Sequence, residues 1–195
     1  MKIFMDYSLG LLALFLAAPL FAILALAIKL DSAGPVFHRR RVVGRGGTTF
    51  DAFKFRTMVA DADARLAEHP EWAMEHSAGR KSLDDPRLTR LGRWLRQTSL
   101  NELPQLLNVL LGQMSLVGPR MVTPAELAGR DRWRAALIRV KPGLTGLWQI
   151  SGRDDLPLEE RIVLDLYYIE HRDMLMDVRI LLKTIPAVVR GRGAY

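Results

Sequence analysis

The sequence predicts an α+β fold, mainly helical, led by a long apolar N-terminal helix. Three observations predict it. The run from Tyr7 to Ile28 carries no charge and is bracketed by Asp6 and Lys29. Two strand-like stretches flank Gly44-Arg45-Gly46-Gly47. Most of the remainder places apolar residues at helical spacing between Pro and Gly breaks. The 195 residues suit one compact domain after a membrane segment, with the boundary at the turn Asp31-Ser32-Ala33-Gly34-Pro35: residues 1–34, then 35–195. Against 21 Asp plus Glu stand 28 Lys plus Arg, a net charge of +7 that calls for an anionic partner. The absence of Cys excludes disulfides, thiolate metal sites and cysteine nucleophiles. His38, His69, His76 and His171 match no zinc spacing.

As a helix, 7–28 is roughly 33 Å long, against a bilayer core of roughly 30 Å. A signal peptide, a spanning helix and a re-entrant helix all compete for it. The run is long for a signal peptide. Pro19 near its middle removes a backbone donor and predicts a kink. Lys2 precedes it and Lys29, Arg39, Arg40, Arg41 and Arg45 follow, so neither flank reads as translocated. The pattern leaves spanning and re-entrant readings level.

Val36–Val43 and Phe50–Met58 form a predicted hairpin around the glycine turn. A strand period of two puts Lys54 and Arg56 on one face, a solvated edge or a phosphate clamp, and Phe53 and Phe55 on the other. Ala60–Glu68 is a predicted helix, and 69–86 a polar mobile loop. Arg87, Arg90, Arg93 and Arg96 then recur every third residue beside Leu88, Leu91, Trp94 and Leu95, the pattern of an interfacial amphipathic helix. Ser99 stands three residues before Glu102, a capping box opening the helix that ends at Gly112. A second box, Thr123 to Glu126, opens a helix predicted to run to about Val140. Residues 159–171 and 173–190 are two further amphipathic helices, the second another candidate for the bilayer surface.

The chemistry concentrates in three segments. Asn101-Glu102-Leu103-Pro104-Gln105 starts a helix, Met114 to Arg120 ends in an arginine turn, and Pro142 to Gln149 leads into Ser151-Gly152-Arg153. Guanidinium groups and a helix N-terminus suit a phosphorylated ligand. Glu102 and Asp165 are candidate magnesium or acid–base carboxylates.

These stretches resemble the bacterial sugar transferases, the monotopic phosphoglycosyl transferases. The matching segments run in family order: Lys29 to Phe37, Phe53-Lys-Phe-Arg-Thr-Met58, Asp85 to Arg93, Thr98-Ser-Leu-Asn-Glu-Leu-Pro-Gln105, Asn108 to Gly112, Met114 to Arg120, Lys141 to Arg153, Leu164 to Tyr168 and Gly191-Arg-Gly-Ala-Tyr195. The ending resembles the catalytic part of undecaprenyl-phosphate hexose-1-phosphate transferases, which start exopolysaccharide or O-antigen (lipopolysaccharide) synthesis. The resemblance implies transfer of a sugar-1-phosphate from a UDP-sugar to undecaprenyl phosphate, release of UMP, a need for Mg2+, and a seat on the cytoplasmic face of the bacterial inner membrane. It selects the re-entrant reading, with the break at Pro19. It implies a catalytic dyad at Asn101 and Glu102 that also contacts magnesium, and a further catalytic carboxylate at Asp165. Lys54, Arg56, Arg120, Gln149 and Arg153 are its implied substrate-phosphate contacts.

The chain departs from that pattern at three places. Ala18 precedes Pro19 where Ser is usual, and Met121 follows Arg120 where Pro is usual. Position 101 is Asn where the family carries a nucleophilic Asp. An amide is uncharged and a poor nucleophile, whereas a carboxylate is ionised at neutral pH. An engineered block, a natural branch using Glu102, direct attack by the lipid phosphate, and an inactive relative all accommodate Asn101. A non-catalytic membrane-anchored scaffold is the rival class. No nucleic-acid motif accompanies the charge, so a nucleic-acid partner is not expected. An anionic membrane surface is expected, and a homodimer is a candidate assembly, since membrane-bound helices with apolar faces leave room for a second copy.

Overall fold

The computed structural model describes residues 1–68 and 85–190. The expected mobile loop, apart from Asp85 and Pro86, and the terminal Gly-Ala-Tyr motif lie outside them. The architecture is α+β and mainly helical, as the patterning predicts.

Helix α1 (Lys2–Asp31) is one continuous helix with Pro19 inside it on the exposed side. Among the described residues it is the one helix long and apolar enough to cross a membrane. Its apolar residues surround the axis, so burial follows its neighbours rather than its sequence. Asp6, Gly10, Leu24 and Ile28 recur at helical spacing on the buried side. Phe4, Leu11, Phe15, Leu16, Ile23 and Leu26 are exposed on the rest of its surface.

Strands β1 (Phe37–Val43) and β2 (Thr49–Phe55) form the expected antiparallel hairpin, paired from Phe37↔Phe55 to Val43↔Thr49. Helix α2 (Ala62–Glu68) follows. Helix α3 (Arg90–Gln97) begins at Thr89, whose side chain accepts the Gly92 N–H at 2.9 Å. The arginine ladder therefore divides. Arg90 and Arg93 are exposed on the helix. Arg87 precedes it and is buried against Asp85 at 2.7 Å, because a guanidinium leaving water needs a carboxylate fork. A 3-10 turn (Leu100–Glu102), α4 (Gln105–Leu110) and β3 (Ser115–Val117) come next.

Both capping-box expectations need correction. The Thr123–Glu126 box closes, with Glu126 accepting the Thr123 N–H at 2.7 Å, yet it starts only turns. Gly129 has φ 72°, which stops helical propagation, and α5 (Asp131–Leu137) begins after it. Ser99 makes no cap; it is left-handed, at φ 59°.

Strand β4 (Gly143–Thr145) pairs in parallel with β3, Ser115↔Gly143 and Val117↔Thr145. Such pairing requires a crossover, supplied by the segment holding α5. The backbones of Gly118 and Gly143 approach so closely that a Cβ on either would collide with the other. Helices α6 (Leu147–Ser151), α7 (Leu158–His171) and α8 (Met174–Arg190) complete the chain. The main core gathers Val42, Phe50, Leu106, Val117, Trp133 and Ile169. A second cluster joins Leu24 and Ile28 of α1 to Phe55 and Leu95.

Candidate active site

Glu102 is the centre of the charged cluster. The 100–102 turn follows α3 directly and packs against β2, which brings Lys54 Nζ to 2.8 Å from Glu102 Oε1. The parallel β3–β4 pair ends in the turn carrying Arg120, whose Nη2 reaches the same oxygen at 3.3 Å. Burial lowers the Lys54 pKa; Glu102 opposes that shift and Arg120 reinforces it. Arg120 lies 5.5 Å from the centre of the Trp148 ring, and Arg161 lies 5.1 Å from it. Trp148, contributed by α6, thus steadies the arginine turn.

Asp165 on α7 is 2% exposed, and its Oδ1 has no hydrogen-bond partner. Burial pushes its pKa up to about 8, against the pull of the Arg120 backbone amide and guanidinium. The neighbouring Trp133 indole pulls the same way as Arg120. That shift favours the protonated carboxyl at neutral pH. Gln149 buries both Nε2 and Oε1 without partners.

Of the expected site residues, the structure brings Lys54, Glu102 and Arg120 together, with Asn101 adjacent in the turn and Asp165 behind Arg120. Two arginines go elsewhere. Strand β2 ends at Phe55, so Arg56 does not share the face of Lys54. Its guanidinium donates to the Ser32 carbonyl at 2.7 Å and to that of Ala33, at the C-terminal end of α1. Ser32 is the C-cap of α1 and Ala33 follows it, so the cation stands at the negative end of the helix dipole. Arg153, at φ 58°, donates to the Ser99 hydroxyl. Sequence reasoning did not single out Ser99 or Trp148 as site residues. An indole within a glycine-flanked segment was a weak signal for Trp148, and Ser99 was marked only as a helix cap.

Among the described residues no three His, Cys, Asp or Glu side chains assemble as a metal cage. The oxygen donors in the turn are one carboxylate, Glu102, and the Asn101 amide. That set fits magnesium only in the mode where phosphate oxygens and water complete the octahedron.

A hairpin lysine, a turn carboxylate and an arginine after a parallel strand, set beside a membrane-length helix, define an anion-handling site of a membrane-associated protein. The family model described as bacterial sugar transferase matches residues 1–191, and the chain belongs to that family. It is 43% identical over 194 residues to the exopolysaccharide production protein ExoY of Sinorhizobium fredii, covering 97% of this chain and 86% of the relative. It is 40% identical over 188 residues to the UDP-glucose:undecaprenyl-phosphate glucose-1-phosphate transferase of Caulobacter vibrioides, covering 92% and 66%. Identity to the undecaprenyl-phosphate galactose phosphotransferase of Salmonella typhimurium is 40% over 194 residues, 97% of this chain and 40% of that one.

Proposed function

We propose that the protein transfers a sugar-1-phosphate from a UDP-sugar to undecaprenyl phosphate and releases UMP. The observation that carries this reading is the convergence of Lys54 and Arg120 on Glu102, beside position 101. Two cations around one carboxylate form a site ready for the charge of a diphosphate. In the reaction an oxygen nucleophile bonds to the sugar-bearing phosphorus. The bond from that phosphorus to the bridging oxygen breaks, and the electron pair leaves with UMP. Lys54 and Arg120 hold the phosphoryl oxygens through the step. Magnesium, when bound, supplies further neutralisation of the diphosphate; Asn101 and Glu102 would hold it.

Asn101 cannot be the nucleophile, and Oε1 of Glu102 already accepts from two cations, which weakens it as one. Direct attack by the lipid phosphate, or a blocked covalent route, remains. The non-catalytic scaffold is favoured only by Asn101. The test is UMP release from a panel of UDP-sugars with undecaprenyl phosphate and magnesium, comparing this chain with Asn101→Asp. Turnover by the Asp form alone makes position 101 the nucleophile; equal turnover by both forms rules that out and leaves Glu102 or direct attack to carry the chemistry.

The site sits at the cytoplasmic face of the inner membrane, with both ends of α1 on that side. Both ends of α1 are tied to the same domain, which supports that topology. Lys2 Nζ pairs with Asp177 at 2.6 Å, and Arg56 holds the carbonyls at the other end. Exposed Leu175, Leu182 and Ile185 on α8 and Trp94 on α3 extend the surface offered to lipid.

A further inference from the structure

Ser99 and Arg153 are the only non-glycine residues with left-handed φ among the described residues. They lie 54 positions apart, and their side chains meet: Arg153 Nη2 donates to Ser99 Oγ. Nη1 of the same guanidinium reaches the Ala187 carbonyl on α8 at 3.4 Å. The left-handed region is disfavoured for any residue with a Cβ and persists only where the surroundings enforce it. Ser99 is also the pivot of the site. Its N–H donates to the Arg96 carbonyl at 3.0 Å, at the end of α3. Its carbonyl accepts the Glu102 N–H at 3.1 Å, closing the turn that holds Asn101 and Glu102. The conformation of this one residue therefore sets the angle between α3 and that turn.

We propose that Ser99 is a positioning residue of the site and Arg153 its latch. The guanidinium, braced on α8, holds Ser99 left-handed and so sets where Asn101 and Glu102 stand relative to Lys54 and Arg120. The proposal rests on the transferase reading, and it replaces the phosphate contact that family resemblance implies for Arg153. It also ties the 100–102 turn to α8, whose outer face exposes Leu175, Val178, Leu182 and Ile185.

A double-mutant cycle tests it, with UDP plus magnesium as the probe and thermal unfolding as a second readout. Ser99→Ala and Arg153→Ala each weaken UDP binding by roughly tenfold, and the double variant weakens it no further, because both remove one interaction. Ser99→Gly separates positioning from stability. Glycine adopts the left-handed conformation freely, so the unfolding midpoint is kept while the freed turn still loses UDP affinity. Losses that multiply in the double variant overturn the latch. So does an Arg153→Ala loss with Ser99→Ala unaffected, which returns Arg153 to the phosphate. Parental affinity in Ser99→Gly overturns it as well. If the parent chain binds no UDP, the transferase reading fails and the thermal cycle decides the latch. Equal midpoint drops in both single variants and the double sustain it; additive drops sink it.

Discussion

Asp6 and Asp165 are both buried carboxylates, and the fold treats them in opposite ways. Asp6, on α1, accepts from the Ser115 hydroxyl at 2.9 and 3.0 Å and from the Leu116 amide at 3.0 Å. Asp165 leaves Oδ1 without a partner beside Arg120, and burial raises its pKa toward the protonated form. The first is a fastener: it ties the N-terminal end of the membrane helix to β3, with the Lys2–Asp177 pair beside it. The second sits where the arginine turn meets α7, and its unmet polar atom is the kind of feature that active sites retain. Burial alone does not reveal a functional carboxylate; the completeness of its hydrogen bonding does.

Five experiments break or sharpen this contrast. The largest effect is expected from Arg120→Ala in the Asn101→Asp background. Removing the cation that faces both Glu102 and Asp165 lowers kcat by roughly 10²–10³-fold, read as UMP release. Next, Asp6→Ala strands the buried Ser115 hydroxyl and Leu116 amide and costs about 3 kcal/mol, measured by denaturant unfolding in detergent. Asp165→Asn, which keeps the neutral shape, leaves the unfolding midpoint within about 2 °C of the parent at pH 6. A drop as large as that of Asp6→Ala would show that the two carboxylates are alike after all.

The fourth is a pH effect. The folded pKa of Asp165, about 8, lies above its ordinary value of 3.8, so the native state binds the proton more tightly than the unfolded chain. Its contribution is fully present below pH 3.8 and is lost progressively as pH rises toward 8. Thermal scans across that window show the parent losing stability more steeply than Asp165→Asn; identical slopes mean that Asp165 is ionised in the fold. The smallest effect is expected at the surface pair Arg40–Glu126, at 3.0 Å and partly solvated. Arg40→Ala changes stability by about 0–1 kcal/mol, and added salt narrows the difference further.

Local pattern carried much of this architecture. The uncharged run announces α1, the glycine turn with its flanking β-branched and aromatic residues announces the hairpin, and helical spacing announces α7 and α8. The parallel β3–β4 pair went unread, because three-residue strands have no period and their partners are 28 positions apart, Ser115 with Gly143. The two capping boxes part ways: that of Thr123 and Glu126 closes but describes only the first turn, which Gly129 ends, while Ser99 is left-handed and makes no cap.

The candidate site was half legible. Lys54, Glu102 and Arg120 converge as the motifs suggested, while the Arg56 guanidinium reaches backbone carbonyls after α1 and that of Arg153 the Ser99 hydroxyl. What sequence alone could establish was local: the apolar helix, the hairpin, the amphipathic segments and the acid–amide step at position 101. Each rests on periodicity or on a residue's own chemistry. Which acceptor each arginine reaches, a carboxylate for Arg120, backbone carbonyls for Arg56 and a serine hydroxyl for Arg153, was decided only in three dimensions. A guanidinium on a long flexible stem takes whichever acceptor the fold brings near, and nothing in the chain beside it records which one that will be.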